Sequence, residues 1–119
     1  MAKVLNKTKN TVLGDQVEVA DSFFSRFCGL MMRSALPEGG GLVLKPCNSI
    51  HMFFMQFAID VAFCNDDHKI VAVLEEIKPW RLSSVYWDAT YAVELPAGTL
   101  KKAKTEIGDV LHIERGAEK

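Results

Sequence analysis

The chain has 119 residues, 49% of them hydrophobic and 24% charged, with 14 Lys and Arg against 15 Asp and Glu for a net charge of −1. That length supports one domain with one core, and the composition is that of an ordinary folded protein. The densest basic run, Lys101, Lys102 and Lys104, is far short of the positive field that displaces counterions from nucleic acid or holds an anionic membrane.

The opening "MAKVLNKTKN" carries charge without an apolar core, so it does not read as a signal peptide, and no apolar run is long enough for a transmembrane helix. Two short strands are expected at Lys3–Lys7 and Gln16–Ala20, with Asn10 and Gly14 supplying turns. In "DSFFSRFCGLMMRS" the apolar residues Phe23, Phe24, Phe27, Leu30 and Met31 recur on one helical face. This predicts the main helix near residues 21–32, with Asp21 or Ser22 as its N-cap and Gly29 inside it. After the "PEGGG" loop, "GLVLK" is a strand stopped by Pro46.

From His51 to Phe63 the alternate residues His51, Phe53, Met55, Phe57, Ile59, Val61 and Phe63 predict a core-facing strand, broken near Gln56–Ala58. "NDDHK" is a hairpin turn into the strand "IVAVLEEI"; "KPWRLSS" is a loop; "YAVELP" is a strand. A short helix is expected near residues 97–104, and "GDVLHIE" closes the chain as a strand. The expected fold is α+β and mainly β: a barrel-like or sandwich arrangement of about seven short strands in one domain over residues 1–119.

The chemistry-bearing residues gather in "CNSIHMFFMQFAID". Cys47, His51 and Asp60 have the residue types of nucleophile, base and orienter. In a regular strand, however, residues four apart stand about 13 Å from each other, beyond hydrogen-bond reach. A buried thiol and a tethered imidazole are the plainer reading. Asp60, between Ile59 and Val61, needs a cation or backbone N–H partner. An arginine tether from Arg26, Arg33 or Arg81 is the favoured one, and an anion-binding arginine cluster is the sharper alternative. Trp80 beside Arg81 is a candidate rim. Cys28, Cys47 and Cys64 are odd in number, with no C-x-x-C pair, which argues against a disulfide scaffold or paired zinc ligands. Cys47 and His51 fall short of the four ligands a structural zinc needs. Gly39–Gly41 lacks the G-K-[ST] ending of a phosphate loop.

The run from "VADSFFSRFCGLMMRS" through "PCNSIHMFF", "IDVAF", "IKPWR" and "VELPAGT" to "IGDVL" resembles domain-of-unknown-function family 192, in order, from about Val19 to Ile113. Its specific pieces are R-x-x-G-L-M-x-R at Arg26–Arg33, P-C-x-x-I-H at Pro46–His51, I-D-V-x-F at Ile59–Phe63 and E-L-P-A-G at Glu94–Gly98. The chain departs from the P-C-x-x-I-H branch at Met52, Gln56 and Ala58, where threonine, arginine and proline are usual. The resemblance implies a β-rich fold and recurrent polar positions at Arg26, Arg33, Cys47, His51, Asp60 and Glu94. It brings no assigned reaction.

The expectation is a non-enzymatic ligand- or partner-binding accessory protein, cytoplasmic and monomeric, with no cofactor, metal, nucleic acid or membrane. Its polar cluster would be Arg26, Arg33, His51, Asp60, Trp80, Arg81 and Glu94. The alternatives are a thiol enzyme using Cys47 and His51, and a structural module that docks through a sheet edge.

Overall fold

The computed structural model describes residues 1–22 and 29–116. Seven strands form one sheet: β1 (Ala2–Asn6), β2 (Thr11–Ala20), β3 (Gly40–Leu44), β4 (Ile59–Cys64), β5 (Ile70–Ile77), β6 (Tyr91–Pro96) and β7 (Leu111–Arg115). Among the described residues, one helical turn, α1 (Thr99–Lys102), lies between β6 and β7. The sheet order is β5-β4-β6-β3-β2-β1-β7, antiparallel throughout except for the β2–β3 pair. This is the mainly-β α+β half-barrel that the sequence predicts.

The sheet curls on itself. Ala2, Val4, Val17, Val43, Ala62, Ile70, Val93 and Leu111 come from all seven strands and pack in one buried cluster, which a flat sheet of this width could not bring together. Leu100 of α1 and Tyr91 complete this inner core. The outermost strands meet at one end, where Lys69 bridges Val110, Ile70 N donates to Asp109 O and Leu111 N to His68 O. Below that join, Asn6 Nδ2 and Lys9 Nζ both donate to the Asp109 carboxylate at 2.9 Å. Burial acts to raise the pKa of Asp109, but these donors outweigh it and hold the group below the usual carboxylate range.

A second core covers the outer face of β3, β4 and β6. Leu42, Leu44, Ile59, Val61, Phe63 and Ala92 pack there under Leu30, Ile50, Met52 and Met55. Strands covered on both faces read as continuous apolar runs, and β3 and β4 are buried at every position.

One expectation falls mainly outside the described residues, and two need correction. The body of the predicted helix, residues 23–28, lies outside the described residues. Gly29–Met32 form a turn with φ of 47° at Gly29 and 66° at Met32, so no helix continues there. Gly14 is not a turn: β2 runs straight through it, and a Cβ there would stand 2.8 Å from Val17 Cγ2 and 3.0 Å from Gly39 O. The glycine permits close approach. The strand predicted from His51 begins only at Ile59. Residues 51–58 form bridge, turn and loop, with Met52 and Met55 buried and Phe53 and Phe54 exposed.

Candidate functional site

Asp60 is the second residue of β4 and has no exposure. Its partner in β6 is Leu95, an inner-core residue, so the carboxylate faces inside the curl. Oδ1 accepts from Glu76 N and Oδ2 from Leu100 N, both at 2.9 Å. Backbone amides therefore hold it, in place of the arginine tether that the sequence favoured. Glu76 is the bulge of β5, with φ of 53°, where the register against β4 slips by one residue. Leu100 lies in the first turn of α1, whose N-cap Gly98 offers no side-chain acceptor. One carboxylate thus fixes a bulge and caps a helix from another strand.

Glu94 faces the other way. It is opposite Leu42 and Val61, both outer-core residues, and Leu42 is opposite Glu18 in β2. This row carries two carboxylates separated by one strand. Arg33 donates to both Glu18 oxygens, at 2.8 and 3.3 Å, and its charge also acts on Glu94. Glu94 is only 5% exposed; burial pushes its carboxyl up to about 8, with Arg33 acting in opposition. The hydrogen bond from Arg33 holds Glu18 below its ordinary value. Arg26 lies outside the described residues.

Cys47 and His51 lie in the segment that covers the outer core. The Cys47 thiol donates to Ser49 O at 3.0 Å. His51 Nδ1 accepts from Phe53 N at 3.2 Å, which leaves the ring proton on Nε2. Asp60 has both oxygens engaged on the inner face, so it is not the orienter of this imidazole. Among the described residues no group of three His, Cys, Asp or Glu side chains is placed to hold a metal ion.

What the structure does assemble is aromatic. Met52 N donates to Arg81 O and Trp80 N to Met52 O, while His51 bridges Leu82. Met32 N donates to Phe54 O. Three separate stretches of chain are thereby joined by backbone bonds, and their side chains form a ladder. Ring centroids are 5.0 Å apart for His51–Phe53, 6.0 Å for Phe53–Trp80 and 4.9 Å for Phe54–Trp80. Phe53, Phe54, Trp80, Leu82 and Met32 are 38, 54, 59, 67 and 70% exposed.

Met32, Phe54 and Trp80 have φ of 66°, 61° and 67°. For residues with a Cβ the left-handed region costs roughly 1–2 kcal/mol each, and such strain is concentrated where function requires it. Asn10, His68 and Lys104 share this conformation in polar turns, and Glu76 does so at the bulge. The apolar residues that share it, among those described, all lie on this one face.

Trp80 was a sequence candidate; Phe53, Phe54, Met32 and Leu82 were not. The only signal was the doublet Phe53–Phe54 between two methionines, where both strand parities are apolar and alternation carries no information.

A separate shallow cleft of about 690 Å³ lies between β2 and α1, lined in part by Thr11, Asp15, Glu38, Thr99 and Lys102. None of the candidate catalytic or binding residues named from the sequence lines it. Cys64 is buried in the inner core beside Tyr91, its thiol pushed up to about 12 mainly by burial; Tyr91 in turn bonds His68 Nδ1 at 2.8 Å.

These features define a class of protein: a small curled-sheet domain with a filled barrel interior, a covered outer face and an aromatic ladder in the covering loops. The chain belongs to the DUF192 family, described as "Uncharacterized ACR", whose profile matches residues 4–113. It is 37% identical over 117 residues to a UPF0127 protein of Pyrococcus furiosus, covering 94% of this chain and 98% of that one. A UPF0127 protein of Thermococcus sibiricus is 37% identical over 110 residues, 89% of this chain and 71% of its own. The fold is similar to the crystal structure of a protein of unknown function from Novosphingobium aromaticivorans, with a TM-score of 0.81 at 17% identity over 93% of this chain and 82% of that one.

Proposed function

We propose that this domain is a non-enzymatic partner-binding protein whose docking surface is the face formed by His51, Phe53, Phe54, Trp80 and Leu82. One observation carries the reading: bulky apolar residues are held in left-handed backbone conformations while their side chains stand exposed. The exposed faces of these side chains add no burial to the fold. The exposed apolar area is on the order of 500 Å², the upper end of what a monomer presents without a partner. Covering it would return roughly 12 kcal/mol at 25 cal/mol per Å², enough to offset a typical cost of association.

The thiol-enzyme alternative draws no support from the hydrogen bonds of Cys47 to Ser49 O and of His51 to Phe53 N. Edge docking is opposed by the bulge at Glu76 on β5 and by the join between the outermost strands. No helix among the described residues is long and apolar enough to cross a membrane. A buried free thiol at Cys64 suits a reducing compartment, and we place the protein in the cytoplasm; cell fractionation that recovers it elsewhere would refute that placement.

The docking surface is tested by selecting a display library of random dodecapeptides on the full chain. Recovered peptides should lose at least about tenfold in affinity for Trp80→Ser and for Phe54→Ser, since central aromatic anchors dominate such interfaces. Peptides that bind both variants as tightly as the parent would refute the assignment, provided circular dichroism shows both variants folded.

A further inference from the structure

The stretches that frame the aromatic face, residues 29–34, 48–57 and 78–87, contain Arg33, Lys78 and Arg81 and no aspartate or glutamate, in a chain whose net charge is −1. Arg33 is engaged by Glu18 at 2.8 Å. Lys78 and Arg81, which flank Pro79 and Trp80, are both exposed. We propose that the occupant of this face is an acidic protein segment carrying apolar anchor side chains, an inference that rests on the docking reading above. The ladder takes the anchors, and the two cations take carboxylates beside them.

The same charges argue against other occupants. A second copy docked through its own equivalent face would add a second Lys78 and Arg81 to an interface whose framing stretches hold no Asp or Glu to pair them, and such a surplus of like charge opposes binding. An anionic lipid surface is held by clusters of roughly four to eight basic residues, and only two are offered here. A carboxylate-bearing segment suits two exposed cations, because a guanidinium fork such as that of Arg81 pairs a carboxylate through two parallel hydrogen bonds.

The test takes the Trp80-dependent peptides from the selection and asks for their charge. They should carry more Asp and Glu than Lys and Arg. Their affinity should fall at least about tenfold in the Lys78→Glu, Arg81→Glu double variant and should weaken as salt is raised. Arg81→Gln, a milder change, should lose a smaller part of the same affinity and guards against misfolding of the double variant. Trp80-dependent peptides that are neutral or basic, or that ignore the charge reversal, would overturn the acidic-segment inference and leave the docking surface standing. Failure to recover any Trp80-dependent peptide would instead remove the docking surface itself. Two further measurements also bear on the occupant. Cosedimentation with phosphatidylcholine–phosphatidylserine vesicles that Trp80→Ser abolishes would overturn the inference in favour of a membrane. Dimerisation on analytical ultracentrifugation that Trp80→Ser abolishes would overturn it in favour of a second copy.

Discussion

A buried carboxylate can be a tether or a liability, and Asp60 and Glu94 show both within one sheet. Asp60 accepts two backbone N–H groups, each such bond to a charged acceptor contributing roughly 1.5–3 kcal/mol. Asp60→Ala orphans the amides of Glu76 and Leu100 and should cost about 3–5 kcal/mol in urea unfolding; a loss below about 1 kcal/mol would contradict this role. Glu94 is the opposite case. Its carboxyl is raised to about 8 in the folded protein, so between the ordinary value of a glutamate and pH 8 the folded state binds more protons than the unfolded one. Stability from this group therefore falls as pH rises through that window, by on the order of 4–5 kcal/mol at most. Glu18, held low by Arg33, works in the other direction and at lower pH: its contribution is lost as pH falls through its folded value. Glu94→Gln should flatten the decline between pH 5 and pH 8 and be the more stable form at pH 8, as read from urea midpoints across that range. A parent protein whose stability is flat from pH 5 to 8 would refute this account of Glu94.

At the scale of elements, the regular strands were legible and the covering loops were not. Strands β5 and β6 and the turn before β5 follow from β-branched runs punctuated by Asn, Asp and Pro. The short helix near residue 99 is present as α1. Residues 51–58 escape a local pattern because Met52, Phe53, Phe54 and Met55 are apolar at both parities, and what decides their path is backbone pairing with residues 80–82. Asp60 was recognisable as a residue needing partners, but its partners are amides sixteen and forty residues away. The left-handed conformation of Phe54 yields its own prediction. Glycine normally destabilises relative to alanine, yet at φ of 61° the order should invert. Phe54→Gly should be more stable than Phe54→Ala by about 1 kcal/mol in thermal or urea unfolding. The usual order, alanine above glycine, would mean that Phe54 is not held in this conformation.

For the whole molecule, curling leaves the inner core sealed and places the features open to partners in the loops outside it. The closing join depends on Asp109, which is tied to Asn6, Lys9 and the Glu106 amide. Asp109→Ala should speed hydrogen exchange at Ile70, Leu111 and Lys7, whose amides are bonded at or beside the join, well before it affects β3 or β6. Uniform acceleration across the sheet would show that the join is not a separate unit. The central claim, however, concerns the outer loops, and it is tested most directly by mapping a bound peptide from the selection onto the protein with amide chemical shifts. Saturable changes should gather at residues 29–34, 51–57 and 78–87 and leave the β2–α1 cleft undisturbed. Changes centred instead on Thr11–Asp15 and Thr99–Ala103 would contradict the account and move the binding site to that cleft.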